Sequence, residues 1–558
     1  MGSRASPAAG RAAAWIVIAA IAVGACTQSD EKPRAERPRI EPARTVPSID
    51  ARWFKRSCDL PVEYLRRIKR GYFPDHSPDV AVVPKEPNYF GAFDSTSHSG
   101  PWEYLQNVPL VLYGPGYVRA QGAIEPNATV ADLAPTFAEL LGTPWPDDRP
   151  GRVLSEALLP EDERNGTPRL LVTIVWDGGG WNVLNRWPDS WPHLASVIER
   201  GTSFTNATVG SSPSVTPSVH ATIGAGAFPD QHGIVDIPLR DGDRIVGSWE
   251  GRSPKYMELT SLADLYDPTT DNKAVVGMVG GHNWHLGMIG HGDFIPGGDR
   301  DVAMVVNAQQ LDMNRDYWSL PSYLQDVSAL RDYLRRVDIE DGRADQRWRG
   351  NEVLDVLSEA RHTPAGVLHQ TKVIKALVDG EDFGRDDVGD LLYINYKQVD
   401  WVGHDFNMVR PEMREIVRYT DDALKELTAY LDERVGADRW VLAVTADHGS
   451  TPAARSTGSW PISMANLTAD AAGHFGVGPE LLQEERVTGF WLDRDVMKPN
   501  GITAEDVSEF VLNYELGDNI ADGEPVPAGY DERVHERLFA AAFPMTKLRR
   551  ILRCATAG

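Results

Sequence analysis

Short apolar runs that end in Gly, Asp or Pro recur along the chain: "DVAVV" (79–83), "VPLVLY" (108–113), "LLVTIVW" (170–176), "AVVGMV" (274–279), "LLYINY" (391–396) and "WVLAVTA" (440–446). They are rich in β-branched residues and lack a polar residue at every second position. That pattern predicts strands covered on both faces. Between them, "DLAPTFAELLG" (132–142) and "MREIVRYTDDALKELTAYLDERVG" (413–436) place apolar residues at helical spacing, the first closing on a C-terminal glycine. The alternation predicts an α/β fold with a central, mainly parallel sheet flanked by helices. Sites in such folds lie at the carboxyl ends of the strands. No internal repeat is present. Residues 157–168 form a polar connection, and 295–350, rich in Asp, Arg and Trp, predict an insertion. The core is expected in 168–294 and 390–558, with 295–389 as a cap.

The N-terminus changes the picture of where the chain works. Arg4 and Arg11 precede the apolar stretch 12–25 and Cys26. Fourteen residues are short for a membrane span and suit a signal-peptide core. "VGAC" (23–26) resembles a bacterial lipobox, which implies lipidation of Cys26. Residues 1–26 are thus expected to be a lipoprotein signal, 27–50 a flexible linker, and 51–558 one catalytic domain on the extracytoplasmic side. An ordinary cleaved signal and a secreted chain form the alternative. The other cysteines are Cys58 and Cys554, and an exported chain can pair two remaining thiols. The net charge of −24 argues against a nucleic-acid scaffold, but a bound metal can reverse the sign locally for an anionic substrate.

Three predicted strands deliver carboxylate or imidazole at their ends. "LLVTIVW" leads to Asp177 and three glycines, "LLYINY" to Asp400 and His404, and "WVLAVTA" to Asp447 and His448. Asp/His sets suit Zn²⁺ and similar divalent ions. Asp400 and His404 are four apart, so one helical turn puts both on one side. The stretch "PSVTPSVHATIGAGAFPDQHGI" (213–234) opens with hydroxyls at the start of a helix, where anions are favoured, and a nearby cation lowers a hydroxyl's pKa.

With these residues the chain resembles the alkaline phosphatase superfamily, in its nucleotide pyrophosphatase/phosphodiesterase branch and the related threonine-nucleophile phosphatases. The resemblance makes Thr216, four residues before His220, the nucleophile. It implies two metal ions, most plausibly zinc: one on Asp177, Thr216, Asp447 and His448, the other on Asp400, His404 and a further histidine. In the family that histidine follows the Asp-His-Gly motif. Here neither His474 nor His535 has suitable surroundings, whereas "STSHSGPWEYLQNVPLVLYGPG" followed by "VADLAPTFAELLG" matches the family's C-terminal part. The resemblance therefore implies a circular permutation, with residues 51–160 as the displaced portion and His98 as the seventh ligand. It also brings the ends of the mature chain together, which implies a Cys58–Cys554 disulfide.

Two departures stand out. Ile237 occupies the place of an Asn that binds a phosphoryl oxygen, and Pro217 has no N–H to offer there. Arg240, His282, His285, His291 and Arg300 are candidate replacements. The family's Lys and Arg for phosphate fall near "GGHNWHLGMIGHGDF" (280–294), where this chain has histidines. That tilts the expectation toward diesters or pyrophosphates, including nucleotides. A phosphomonoesterase and a non-catalytic, lipid-anchored binding protein remain alternatives. A sulfatase is disfavoured by the lack of its C/S-x-P-x-R motif. Trp176, Trp284 and Trp401 lie near these motifs and can serve either as core or as a stacking surface.

Overall fold

The computed structural model describes residues 51–557 apart from 94, 307–310, 341–342, 346, 350 and 353–359. The leader, Cys26 and linker expected in residues 1–50 lie outside the described residues. The strands that matter for the site are β1 (Val80–Pro84), β2 (Leu110–Tyr113), β3 (Gly122–Thr129), β4 (Leu170–Trp176), β5 (Thr202–Thr208), β6 (Val276–Gly280), β7 (Val302–Val306), β8 (Leu311–Asp312), β9 (Asp390–Tyr396), β10 (Trp440–Thr445), β11 (Leu482–Arg486), β12 (Gly489–Leu492) and β13 (Phe539–Pro544). The helices used below are α1 (Arg52–Cys58), α2 (Leu133–Leu141), α3 (Thr216–Ala225), α4 (Pro364–Gly380), α5 (Gln398–Phe406), α6 (Pro411–Leu431) and α7 (Leu548–Ala557).

A nine-stranded sheet runs β8-β7-β6-β9-β4-β10-β2-β5-β3. Strands β7, β6, β9, β4 and β10 are mutually parallel. β2 runs against β10 and β5, while β3 and β5 are parallel to each other. Side chains alternate between two cores. Leu170, Val172, Ile174 and Trp176 of β4 pack with α4 and α6, whereas Leu171 and Val175 pack with α2 and α3. Every residue of β4, β9 and β10 is buried, which explains their unbroken apolar sequences. Trp176 is fully buried core. Helix α2 ends at Gly142, whose φ of 68° suits the residue without a Cβ.

Two expectations need correction. "DVAVV" does not join the parallel sheet. It forms β1, in a separate antiparallel sheet of order β11-β12-β1-β13. Val80 and Val82 face one core and Ala81 and Val83 another, so its two-sided burial produced the same sequence pattern. Residues 295–389 are not simply a cap: β7 extends the central sheet beside β6, and α4 covers one face.

The chain's early and late parts interleave. β1 lies between strands from residues 489–492 and 539–544, and β2 lies beside β10. Trp53 and Phe54 of α1 share a core with Leu548 and Ile551 of α7. Cys58 and Cys554 form a disulfide with Cα atoms 5.6 Å apart. A crosslink over 496 residues of sequence restricts the unfolded chain. The Cys58→Ser variant is expected to lose about 2–4 kcal/mol of stability. Urea unfolding of the oxidised protein checks this. An unchanged midpoint would show that the apolar contact between α1 and α7 suffices alone.

Candidate metal centre

Strand order assembles the site. β9, β4 and β10 are adjacent and parallel, so their carboxyl ends share one edge of the sheet. Asp177 follows β4, Asp400 lies in the first turn of α5 after β9, and Asp447-His448 follow β10. β2 runs the opposite way, and its first residue, Leu110, pairs with Thr445 at the end of β10. The loop that precedes β2, carrying His98, therefore reaches the same edge. Backbone hydrogen bonds tie it there: Gly449 N donates to Leu105 O (2.9 Å) and Thr451 N to Ser97 O (2.8 Å). β5 also ends at this edge and leads to α3, whose first residue is Thr216. Close approach of the two loops requires glycine at position 180. A Cβ on Gly180 would lie 2.6 Å from the Cα of Gly449.

The seven residues expected as ligands come together. His98 Nε2 lies 3.8 Å from Asp400 Oδ1, and His404 Nε2 lies 3.3 Å from the same oxygen. The rings of His98 and His448 stack at 3.6 Å. His448 Nε2 is 3.5 Å from Asp447 Oδ2 and 3.8 Å from oxygens of both Asp177 and Asp400. The Nδ1 atoms are already engaged, that of His448 with Gly449 O (3.0 Å) and that of His98 with Ser99 Oγ (2.9 Å) and Ser214 O (3.3 Å). This leaves the Nε2 atoms turned into the cluster, as backing partners do for metal-ligating imidazoles.

Asp400 Oδ1, Asp447 Oδ2 and His448 Nε2 are buried with no hydrogen-bond partner among the described residues. Buried polar atoms are almost always satisfied, so bare acceptors facing one another fit a cation. Among the groups whose donors are close enough to share an ion, two contain Asp400: His98, Asp400 and His404, and Asp177, Asp400 and His448. Electrostatics agree. Burial, with the neighbouring Asp177 carboxylate, pushes Asp447 well above the usual carboxylate range. Burial also pushes His98 and His448 down, keeping them neutral, the form that binds metal. His404, the most open of the set, is raised by Asp400.

A third group, Asp177, His220 and His285, braces the site instead. His220 Nδ1 donates to Thr216 O (2.7 Å), and its Nε2 accepts from Asn395 Nδ2 (2.8 Å). The same Asn395 amide donates to Asp177 Oδ2 (2.9 Å). His285 Nε2 approaches that oxygen at 3.5 Å.

Of the candidate substrate residues, the structure keeps His285 and His282 near the cluster. His282 sits at the rim, its ring 3.7 Å from that of Trp284. The others are committed elsewhere. Arg240 donates to Asp79 (2.7 Å) and Leu492 O (3.0 Å). His291 is held between Asp264 and Met257 O, both at 2.8 Å. Arg300 pairs with Asp293 at the surface (3.1 Å).

Sequence reasoning passed over Lys397. Its Nζ donates to Asp177 Oδ1 (2.7 Å) and Thr216 Oγ1 (2.9 Å) and pairs with Asp400 Oδ2 (2.7 Å). Burial alone would raise Asp177 and Asp400, but the Lys397 ammonium holds both well below the usual range. The signal was present in "YINYK", a cation directly after a buried strand and three residues before an acid. Arg361 was also passed over. Its guanidinium lies 4.6 Å over the ring of Trp401, which packs beside Gly281, and it has no carboxylate partner among the described residues.

The family model for type I phosphodiesterase / nucleotide pyrophosphatase matches residues 171–520. Alkaline phosphatase PhoV of Synechococcus elongatus is 24% identical over 331 residues, covering 51% of this chain and 59% of that protein. A protein of Myroides odoratus named calcium-transporting ATPase is 23% identical over 345 residues, covering 52% and 61%. The chain thus spans about six tenths of the length of these curated relatives. The crystal structure of wild-type alkaline phosphatase PafA superposes with a TM-score of 0.49 at 17% identity, covering 68% of this chain and 84% of that one. With its family model matched across more than half its length, this chain belongs to the type I phosphodiesterase / nucleotide pyrophosphatase family of the alkaline phosphatase superfamily.

Proposed function

We propose that the protein is an exported two-metal phosphoester hydrolase of the phosphodiesterase/nucleotide pyrophosphatase type that works through Thr216. The observation that carries this reading is the set of bare, buried acceptors on Asp400, Asp447 and His448 gathered beside the Thr216 hydroxyl. Asp177, Thr216, Asp447 and His448 would hold one ion, and Asp400, His404 and His98 the other, with zinc the choice their nitrogen and oxygen donors favour. Bound divalent ions would supply Lewis-acid charge for the phosphoryl oxygens and lower the pKa of the nucleophile.

The chain's own residues do the rest. His220 accepts no part in ligation; through Thr216 O it fixes the turn that presents the nucleophile. Asn395 and His285 orient Asp177. Thr216 Oγ forms a bond to phosphorus and releases its proton to solvent. The phosphorus–leaving-group bond breaks with its electron pair on the leaving oxygen, which takes up a proton from water. Water then attacks the phosphothreonine and frees Thr216, so one water is consumed per turnover. On the rim, His282 with Trp284 offers aromatic faces, and Arg361, held over the buried Trp401 ring, one positive charge. Such a surface suits an aromatic or anionic leaving group and supports a diester, pyrophosphate or nucleotide substrate.

We also read the chain order as a circular permutation. The family match begins at residue 171, while β1, β2 and the His98 loop come from before it and dock among late elements. A lipid anchor on Cys26 completes the reading. In a bacterial host Cys26→Ser is expected to move the protein from the membrane to the soluble fraction, and continued membrane retention would contradict the anchor.

Thr216→Ala is expected to lower turnover of bis(p-nitrophenyl) phosphate by about a thousandfold or more while metal content stays as in the wild type. Residual high activity would move the nucleophile to Ser212 or Ser214. Chelation should lower the thermal midpoint, because ions that bind only the folded state add about 4 kcal/mol at a thousand times their Kd. A midpoint indifferent to chelator would contradict a metal centre. Arg361→Ala is expected to raise KM for a p-nitrophenyl nucleotide about tenfold with kcat little changed. An equal change for bis(p-nitrophenyl) phosphate would show that the rim does not read the nucleotide.

A further inference from the structure

Two donors implied for the phosphoryl group are missing, at Pro217 and Ile237, and residues 280–294 contain no Lys or Arg. The only ammonium or guanidinium that touches the cluster among the described residues is that of Lys397. Its side chain is 3% exposed, and its stem is held in place: a Cβ on Gly281 would lie 2.9 Å from the Lys397 Cβ. The ammonium sits 5.8 Å from the centre of the Trp284 ring. Its three contacts use Asp177 Oδ1, Asp400 Oδ2 and Thr216 Oγ1. The bare acceptors are different atoms, Asp400 Oδ1, Asp447 Oδ2 and His448 Nε2. The lysine therefore shares Asp177 Oδ1 and Thr216 Oγ1 with the first metal set and leaves Asp400 Oδ1, Asp447 Oδ2 and His448 Nε2 bare, so these acceptors still call for positive charge besides its own.

We propose that Lys397 is a catalytic residue, a fixed third cation beside the nucleophile that lets the site accept the dianionic phosphoryl group of monoesters as well as diesters. The proposal rests on the hydrolase reading above and assigns its charge selectivity. With all three aspartates ionised, as bound cations would make them, they and the lysine carry a net charge of −2, from −3 and +1. Two divalent ions bring the centre to +2, which matches a monoester phosphoryl group at or near −2 at neutral pH. Without the lysine the centre carries +1, which matches the single charge of a diester. Thr216 Oγ1 lies 2.9 Å from Nζ, so once Oγ bonds to phosphorus the non-bridging oxygens come within reach of the same ammonium. Each extra negative charge on those oxygens gains from it in a buried site where Coulomb interactions are strong. The loss of donors at residues 217 and 237 is thereby offset from the opposite side of the nucleophile.

The test compares Lys397→Met and Lys397→Arg with the wild type on p-nitrophenyl phosphate and bis(p-nitrophenyl) phosphate, with zinc content and calorimetric binding of orthophosphate as independent readouts. Lys397→Met is expected to lose about tenfold more kcat/KM on the monoester than on the diester and to bind orthophosphate about tenfold more weakly. Zinc per chain should not change, and Lys397→Arg should recover part of the orthophosphate affinity. Equal losses on both substrates with orthophosphate binding unchanged would reduce Lys397 to a structural brace and overturn the proposal. Uptake of an additional zinc by Lys397→Met would overturn it too, since the lysine would then be standing where an ion belongs. Orthophosphate binding reads the lysine even in a protein that turns over neither substrate, a result that would sink the hydrolase reading and not the cation.

Discussion

Three carboxylates buried at one edge of a sheet govern this molecule. Asp177, Asp400 and Asp447 share almost no water, and like charges at such spacing repel strongly in a low-dielectric setting. The fold tolerates them only with positive charge among them. Lys397 supplies one unit, enough to hold Asp177 and Asp400 ionised but not Asp447, which is driven upward. The remaining deficit, expressed as bare oxygens and imidazole nitrogens, is the physical content of the candidate metal centre. Thr216, the bracing Asn395 and the neutral histidines all make sense as parts arranged around that deficit.

Sheet topology explains how distant segments meet it. Parallel strands put their carboxyl ends on one side, and a single antiparallel strand, β2, turns its preceding loop to the same side. His98 can thus come from a segment far from the others in sequence without any unusual connection. The docking of α1 against α7 and the insertion of β1 between two late strands show the same interleaving. Such an arrangement is compatible with moving chain ends from one surface site to another, because termini that lie together can be exchanged at little cost.

Much of this was legible in the sequence. Fully buried strands announce themselves as unbroken apolar runs, and the Asp or Asp-His that ends each of β4, β9 and β10 marks the functional edge. The same signal misled at β1, where burial on both faces comes from two small cores rather than from helices on a parallel sheet. Residues 302–306 and 364–380 read as insertion because their neighbourhood is polar, although they extend and cover the sheet. Side-chain partners were least legible. Arg240, His291 and Arg300 have suitable chemistry, but each is claimed by a carboxylate that only the fold brings near. Lys397 was hidden for the converse reason: a lone lysine after a strand reads as solvated until the sheet buries it among acids.

The most direct test of the account is the location of bound metal, read from anomalous scattering at the zinc edge in crystals grown with zinc. The account places one peak against Asp400, His404 and His98 and a second against Asp447, His448 and Asp177, with the His98 imidazole about 2 Å from its ion. Peaks that leave His98 without an ion, or that lie away from the ends of β4, β9 and β10, would contradict it.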